Sequence, residues 1–261
     1  MSTHYEAIDW YKLPRYYDLV FSSLNRQEIA FLADLYESHG FSSKGRMLEP
    51  ACGSGRLVEG LARRGFHVDG FDLSPDMVDF AQKRMSRKGL SGDIWVDDMA
   101  SFKTTRRYEF AFCLVSSFKY LLTEAQALGH LRSVAAALKP GGIYALGFHL
   151  TEYEDRRKDR EEWSGARGRT KVHCRIDSWP PDHKSRLEKI RARMTVTMPT
   201  RTAAMESEWM FRTYSRDEFL RLIRKCSELE HVATHNFDYQ ADEEIELGED
   251  DLDTIVILRR R

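Results

Sequence analysis

Two glycines between an apolar strand and an amphipathic helix form the segment of this chain best suited to binding a small ligand. Residues 47–50 are a short strand-like run that carries Glu49, and Gly53 and Gly55 follow before a helix predicted over 56–64. Glycine lets a ligand approach the backbone closely, and the helix presents unpaired N–H groups and a positive dipole end to the turn. The pattern indicates a nucleotide-like ligand.

Two later strands are predicted to end in acidic residues. Residues 67–72 form a strand ending at Asp72, 17 positions after the second glycine, where a carboxylate can accept hydrogen bonds from both hydroxyls of a ribose. Residues 94–99 contain a short strand that ends at Asp97 and Asp98. Ligands of open α/β sheets bind beyond the carboxyl ends of the strands, so these acids are expected to share one site with the glycine turn.

A dinucleotide site is the first alternative, and the spacing disfavours it. The dinucleotide fingerprint requires a third glycine three positions after Gly55, where this chain has Val58, and it requires no acid before the glycines. A nicotinamide-dependent reductase is therefore the weaker interpretation.

The elements after the acids predict the rest of a buried sheet. Residues 110–115 are an uninterrupted apolar run, as expected for a strand buried on both faces, and Ser116 follows it. Thr123 begins a capping box for an amphipathic helix, which residues 138–142 stop. A fifth strand over 143–149 ends at His149, at the same sheet edge.

These motifs, in this order and at these distances, resemble class I S-adenosylmethionine (SAM) methyltransferases. The resemblance implies an α/β fold with a Rossmann-like, mostly parallel, seven-stranded sheet. It implies that Glu49 holds the methionine ammonium of the cofactor directly or through water, that Asp72 binds the ribose, and that the acids at 97 and 98 face the adenine amino group. The cofactor-binding set also includes Tyr17, Ala51, Gly53, Gly55, Leu73, Met77, Met99 and Val115.

Three residues are candidates for the transfer step itself. His149 is the candidate general base, since its ordinary pKa lies near neutrality; a hydrogen-bonded structural histidine at the sheet edge is the alternative. Tyr17 and Tyr120 are candidates to position the acceptor. Tyr17 belongs to an entry segment, residues 16–21, that resembles the N-terminal lid of small-molecule methyltransferases, although ordinary aromatic anchoring explains it equally well.

The chain is predicted to be a single methyltransferase domain over residues 1–261, with a lid and helix over 1–44 and an antiparallel β insertion over 151–212. Residues 171–176 and 189–198 alternate apolar and polar side chains, and Met205, Trp209 and Phe211 suggest a third strand. An insertion at this place is similar to that of amino-sugar N-methyltransferases. Its apolar face is expected either to roof the acceptor site or to pair subunits in a homodimer.

Composition limits the partners. The net charge of -1 provides no general attraction to nucleic acid or membranes. The fifteen Lys/Arg and eleven Asp/Glu of residues 151–212 are explained more simply by solvated strand faces than by RNA binding.

Sequence features expected of metal sites and exported proteins are lacking. The four cysteines have no metal-ligand spacing, and the acidic loop over 242–251 lacks the order of a calcium site, so no metal is expected. The sequence begins with no targeting pattern, which favours a cytoplasmic location.

The function that this pattern favours is SAM-dependent methyl transfer to a nitrogen or oxygen atom of a small-molecule acceptor. The motifs of amino-methylating nucleic-acid enzymes and of cytosine C5 enzymes are absent after the fourth strand. A tRNA- or protein-directed methyltransferase and a SAM-binding module without catalysis are the alternatives.

Overall fold

A computed structural model describes residues 4–21, 25–41, 44–248 and 251–261 of the chain. Two sheets contain its strands, joined by helices that are amphipathic in sequence. Glu249 and Asp250 of the predicted acidic loop lie outside the described residues.

A seven-stranded sheet forms the core. Its strands are β2 (Arg46–Pro50), β3 (His67–Asp72), β4 (Ile94–Val96), β5 (Tyr108–Cys113), β6 (Leu138–His149), β11 (Leu229–Asn236) and β12 (Asp253–Arg260). The strand order is β11-β12-β6-β5-β2-β3-β4, and only the pairs made by β12 are antiparallel. The predicted fold class is confirmed.

Helices cover both faces of this sheet and connect its strands. They are α2 (Asn25–Ser38), α3 (Arg56–Arg63), α4 (Pro75–Arg87), α5 (Glu124–Ala137) and α6 (Arg216–Arg224). Ser74 caps α4 with Pro75 at its first position, and the capping boxes of α5 at Thr123 and of α6 at Ser215 are both formed. Local sequence thus determines where these helices begin.

Two predicted strand boundaries are wrong. The fourth strand was expected over 110–115, but β5 ends at Cys113 because Val115 and Ser116 have positive φ angles of 58° and 65°. The fifth was expected to begin at Ile143, but β6 begins at Leu138, immediately after α5. Residues 138–142 do end α5, as expected, but they already belong to β6, with an irregular pairing to β5 and a φ angle of 76° at Gly141.

The second sheet is built mainly from the insertion. Its strands are β7 (Asp159–Arg167), β8 (Thr170–Ser178), β9 (Leu187–Met198) and β10 (Arg201–Arg212), which are antiparallel neighbours, and β1 (Glu6–Ala7), which joins β10 in parallel. Sequence patterns missed β7, an edge strand without apolar alternation, and β1, which pairs across about two hundred residues.

The apolar face of the second sheet is covered by the chain's own N-terminal segment. A short 3₁₀ helix (Trp10–Lys12) and α1 (Pro14–Phe21) pack Trp10, Leu19 and Val20 against β8, β9 and β10. We call residues 4–21 together with β7–β10 the cap. Because residues 10–21 occupy this face, a homodimer would have to use another surface of the cap, and dimerisation stays a prediction.

Candidate active site

The carboxyl ends of β2, β3, β4 and β5 form one edge of the core sheet, which we call the cofactor edge. Its backbone is unusual after β2, where Ala51, Gly53 and Gly55 have φ angles of 56°, 53° and 71°. A side chain at Gly55 would place its Cβ 2.9 Å from the Cβ of Ala81, whereas nothing lies within 4 Å of a Cβ built at Gly53. Gly55 therefore allows close packing of the turn on α4, and Gly53 leaves open space above the turn.

Glu49 lies at the end of β2 with only 6% of its surface exposed. Its Oε2 atom is buried and has no hydrogen-bond partner among the described residues. Burial raises the pKa of this carboxyl well above its ordinary value, and the nearby charge of Arg56 opposes that shift. A buried carboxylate oxygen without a partner is costly, so this position is suited to a cationic ligand group.

Arg56 does not neutralise Glu49 because it is already paired. Its Nη2 atom donates to Oε1 of Glu28 at 2.8 Å, and the Glu28 side chain is fully buried. Sequence reasoning missed this pair; the signal was the position of Arg56 directly after the glycine turn. The pair fixes the first residue of α3 to α2 beside the site.

Asp72 connects the ends of β2 and β3. Its Oδ2 accepts the backbone N–H of Gly53 at 2.8 Å, and its Oδ1 accepts that of Ser74 at 2.9 Å. Burial raises its pKa, although these hydrogen bonds oppose the shift. The backbone N–H of Leu73 also hydrogen-bonds to Asp72. A carboxylate has about four acceptor positions, so Asp72 keeps capacity for a hydroxyl donor.

The two acids after β4 differ in their contacts. Asp97 accepts the indole N–H of Trp95 at 3.2 Å and the backbone N–H of Asp98 at 2.8 Å. Asp98 is exposed and accepts the N–H of Ala100 at 2.8 Å. The carbonyl of Met99 is hydrogen-bonded to Nδ1 of the buried His130 at 2.9 Å. This contact attaches the loop after β4 to α5.

Apolar side chains stand exposed around this edge. Leu73, Val96 and Val115, which follow or end β3, β4 and β5, are 68%, 50% and 42% exposed. Exposed large apolar residues grouped at one edge indicate a ligand-binding surface. Met77, also predicted to bind the cofactor, is fully buried in α4, and its role stays a prediction.

Backbone strain marks the loop after β5. Val115 and Ser116 both lie in the left-handed region, which costs about 1 to 3 kcal/mol per residue for side chains other than glycine. The Ser116 hydroxyl is buried without a hydrogen-bond partner among the described residues. Strain and an unpaired polar atom together are typical of functional loops.

Three tyrosines lie between the cofactor edge and the cap. The rings of Tyr17 and Tyr120 each contact Tyr11, with centroids 5.7 and 6.0 Å apart, and the hydroxyls of Tyr11 and Tyr120 are 2.6 Å apart. Burial raises the pKa of Tyr17 to about 12, with Arg56 opposing and Asp72 adding to the shift. The structure thus brings two predicted residues together through a third, Tyr11, that the sequence did not indicate.

A groove of about 480 Å³ opens beside these tyrosines, between the N-terminal segment and β10. Trp10 and Trp209 line it with their ring centroids 4.8 Å apart, and Tyr120 stacks on Trp209. The indole N–H groups of both tryptophans are buried without partners among the described residues. Aromatic walls with free donors are suited to a polar organic molecule.

His149 lies apart from the tyrosines in the described contacts. Its Nδ1 is hydrogen-bonded to the carboxylate of Asp253 on β12, and its ring contacts Phe237 at 5.3 Å. Burial alone would raise the pKa of Asp253, but the hydrogen bond and charge of His149 lower it overall. The ring is partly exposed, at 39% of its side chain, so a ligand can reach it.

Asp18 ties the cap to the glycine turn. Its buried carboxylate accepts the hydroxyl of Ser54 at 2.9 Å and pairs with Arg84 of α4, which also donates to the Ser54 carbonyl at 3.1 Å. The sequence placed Asp18 in the entry motif but gave no partner for it. This link joins α1 directly to the cofactor edge.

Residues 4–21, 25–41, 44–248 and 251–261 contain neither a metal-binding cluster nor a membrane-spanning helix. No group of three or more His, Cys, Asp or Glu side chains that could hold a metal ion occurs in these ranges. No helix in these ranges is both long and apolar enough to cross a membrane.

Comparison with known proteins supports the geometry. Residues 47–142 match a protein family described as methyltransferase domain. The putative methyltransferase YqeM of Bacillus subtilis (strain 168) is 33% identical over 106 residues, which are 41% of this chain and 43% of that protein. A dTDP-3-amino-3,6-dideoxy-alpha-D-glucopyranose N,N-dimethyltransferase of Streptomyces fradiae is 31% identical over 133 residues, 50% of each chain.

The chain therefore spans about half the length of the curated relatives that it matches. A solved S-adenosylmethionine-dependent methyltransferase from Clostridium acetobutylicum ATCC 824 superimposes with a TM-score of 0.77 over 96% of this chain and 98% of its own, at 16% identity. The predicted family and fold are confirmed by these matches. Residues 47–142 match the methyltransferase domain family, and the fold of the chain is that of a solved S-adenosylmethionine-dependent methyltransferase.

Proposed function

We propose that this protein binds SAM at the cofactor edge and transfers its methyl group to a nitrogen or oxygen atom of a small-molecule acceptor. The observation that carries the proposal is the buried, unpaired carboxylate oxygen of Glu49 beside an open glycine turn. A methionine ammonium is a cation of the size and charge that this position requires.

The other residues of the edge fit the remaining parts of SAM. Asp72 would accept the ribose hydroxyls, the exposed Leu73, Val96 and Val115 would contact the adenine ring, and Asp98 would face its amino group. When bound, the sulfonium of SAM supplies an activated methyl group, so the protein's task is to orient the acceptor and exclude water.

The acceptor site is proposed to be the groove lined by Trp10, Tyr120 and Trp209. Burial keeps the phenol of Tyr120 protonated by raising its pKa well above the ordinary value, so it can donate a hydrogen bond. Tyr11 lines this groove and its ring contacts Tyr17, so both tyrosines would lie beside a bound acceptor. The Streptomyces fradiae relative, named as acting on an amino sugar, supports an acceptor of small-molecule size.

Proton removal from the acceptor is assigned to His149. Asp253 accepts the proton on Nδ1 in the neutral ring, which leaves Nε2 as the base. His149 does not contact the three tyrosines in the part of the chain that the structure describes. An acceptor would therefore have to extend from the groove beside the tyrosines to His149 for this step.

A methyl-acceptor screen tests the proposal. The protein would be incubated with SAM labelled in its methyl group and with pools of amines, amino sugars and phenols, and labelled products would be identified by mass spectrometry. Labelled product that depends on Trp209 would support the proposal. Two results would overturn the proposal. One is binding of SAM and S-adenosylhomocysteine with no methyl transfer to any small-molecule pool. The other is methyl transfer to added RNA or protein only.

A further inference from the structure

The face of the second sheet that points away from the N-terminal segment is strongly charged, and we call it the outer face. Cross-strand register places Arg175 opposite Arg193, and Arg160 and Arg191 on either side of Asp177. Val172, Cys174 and Met194 alternate with these residues and point to the opposite, apolar face. The outer face therefore lies opposite the apolar face, and it borders the acceptor groove at Glu206 and Glu208 of β10.

Asp177 is the centre of the charged cluster and is fully buried beneath cationic side chains. Arg160 Nε lies 3.0 Å and Lys158 Nζ 3.5 Å from its Oδ1, while Arg175 and Arg191 approach its Oδ2 at 3.3 and 3.7 Å. Four cations thus converge on one carboxylate. A single negative charge cannot compensate them.

The neighbouring pairs do not remove this excess. Arg193 is 2.5 Å from Glu206, and Lys189 is 2.8 Å from Glu208. Arg191 also lies 3.7 Å from Glu206 and 3.9 Å from Glu208, and Glu162 stands opposite Arg175 in the pairing of β7 with β8. The cluster then holds six Lys/Arg side chains and four carboxylates, an excess of two positive charges on one sheet face.

Trp179 holds several of these cations in place. Lys158, Arg191 and Lys189 lie over its ring at 4.2, 4.8 and 5.4 Å from the centroid. Cation–π contacts fix the side chains and lower the entropy that a ligand must remove on binding. The Nε atoms of Arg175 and Arg191 are buried without hydrogen-bond partners among the described residues, and Arg191 Nε lies 3.7 Å from a carboxylate oxygen of Glu206.

A polar groove continues from the cluster along the same face. It has a volume of about 410 Å³ and is lined by Ser164, Thr195, Thr197, Lys171 and His173. Thr195 and His173 are two residues along their strands from Arg193 and Arg175, a distance of about 7 Å. The hydroxyl groups of this groove could hydrogen-bond to the hydroxyls of a ligand while the neighbouring arginines bind its anionic group.

We propose that the outer face binds a small phosphorylated polyol, with its phosphate on the arginine cluster and its hydroxyls in the adjoining groove. Guanidinium groups match the oxygens of a phosphate with paired hydrogen bonds, and a dianion offsets most of the excess charge. The net charge of -1 for the whole chain argues for a local, small ligand over a nucleic acid strand, which requires an extended basic surface.

The test is calorimetric titration of the full chain with ribose 5-phosphate, inorganic phosphate and a single-stranded RNA decamer, at constant ionic strength. The test variant is R160Q/R175Q, which leaves Lys158 and Arg191 on Asp177. The matched control is R221Q/R224Q, which removes the same charge from exposed positions of α6. A third variant, R160K/R175K, keeps the charge and removes the guanidinium groups.

The expected result is binding of ribose 5-phosphate at least threefold tighter than phosphate, weakened at least tenfold in R160Q/R175Q and partly in R160K/R175K, with the control unchanged. Equal affinity for the two ligands would overturn the polyol assignment. Three results would overturn the small-ligand proposal. Ribose 5-phosphate could fail to bind, or its affinity could fall equally in the control R221Q/R224Q. The RNA decamer could also bind at least tenfold tighter than ribose 5-phosphate through the same arginines. SAM titrations of the same variants are read separately, since this site does not rest on the proposed transferase activity.

Discussion

The cofactor edge and the cap differ in how far apart in the sequence their site residues lie. At the cofactor edge, functional atoms come from short segments at the ends of adjacent strands, and the edge keeps unpaired groups such as Glu49 Oε2 and the Ser116 hydroxyl. The cap is assembled from residues about two hundred positions apart, through β1 and β10 and through Trp10 and Trp209. The cofactor edge therefore depends on local backbone geometry, whereas the cap depends on packing between distant segments of the chain.

The largest expected effect is that of a side chain at Gly55. Gly55→Val would place a branched Cβ in left-handed backbone and against Ala81, with a loss of stability of about 3 to 5 kcal/mol. Gly53→Ala has the same backbone strain but no protein contact, so it should cost about 1 to 2 kcal/mol and weaken SAM binding instead. Urea unfolding and calorimetry of both variants measure these effects; equal stability losses would contradict the distinction.

A second expected effect concerns His130, which attaches the loop after β4 to α5 through the Met99 carbonyl. Burial lowers the pKa of His130 to about 4. As the pH falls, the unfolded chain therefore binds a proton at this residue near pH 6.5, whereas the folded chain binds it only near pH 4. Stability should therefore fall by about 3 kcal/mol as the pH drops from 6.5 to 4. His130→Gln keeps a donor for the Met99 carbonyl and removes the titration, and its stability should lose this component of the pH dependence in urea unfolding. An unchanged profile would show that other groups cause the acid loss.

The link between the two regions should have a smaller effect. Asp18→Asn keeps the contact with Ser54 and removes the charge paired with Arg84, at a cost of about 2 kcal/mol. Hydrogen exchange of residues 14–21 should then accelerate while the strands of the core sheet keep their protection. This measurement also tests the predicted lid: in the unmodified chain, S-adenosylhomocysteine should slow exchange in the same segment. Equal exchange in every state would make α1 a static element.

Much of the cofactor edge could be predicted from sequence because each feature is local. The apolar run before Glu49, the glycines, and the caps at Ser74 and Thr123 each determine backbone geometry within a few residues. The sequence could not show that Met77 is buried or that Val115 leaves the strand, since both depend on how β5 and α4 pack. It also could not pair Tyr11 with Tyr120 or Arg56 with Glu28, because such contacts join distant segments.

The smallest expected effect tests the cap alone. Replacing Trp209 and Phe211 by Ala removes the rings that contact Tyr120, and acceptor turnover should fall at least tenfold, about 1.4 kcal/mol, while SAM affinity is kept. The control is Trp163→Ala, which removes a ring that contacts Phe21 elsewhere in the cap. Normal turnover with only a lower melting temperature in both variants would show that this surface is ordinary packing.

The pKa of Glu49 makes the central claim testable in a second way. Since burial raises this pKa, the folded chain holds a proton that the unfolded chain has lost, and stability falls as the pH rises from the ordinary glutamate value to the raised one. Glu49→Gln keeps the shape of the side chain and removes the charge. Above that pH window the variant should be at least as stable as the unmodified protein without ligand.

The most direct test is calorimetric titration of SAM into the unmodified protein and into Glu49→Gln at neutral pH, with melting temperatures measured on the same samples. The account predicts binding to the unmodified protein, a loss of affinity of about tenfold to a hundredfold in the variant, and a melting temperature that does not fall. Equal SAM affinity in a folded Glu49→Gln protein would contradict the assignment of the ammonium site, and absence of SAM binding to the unmodified protein would contradict the proposed function.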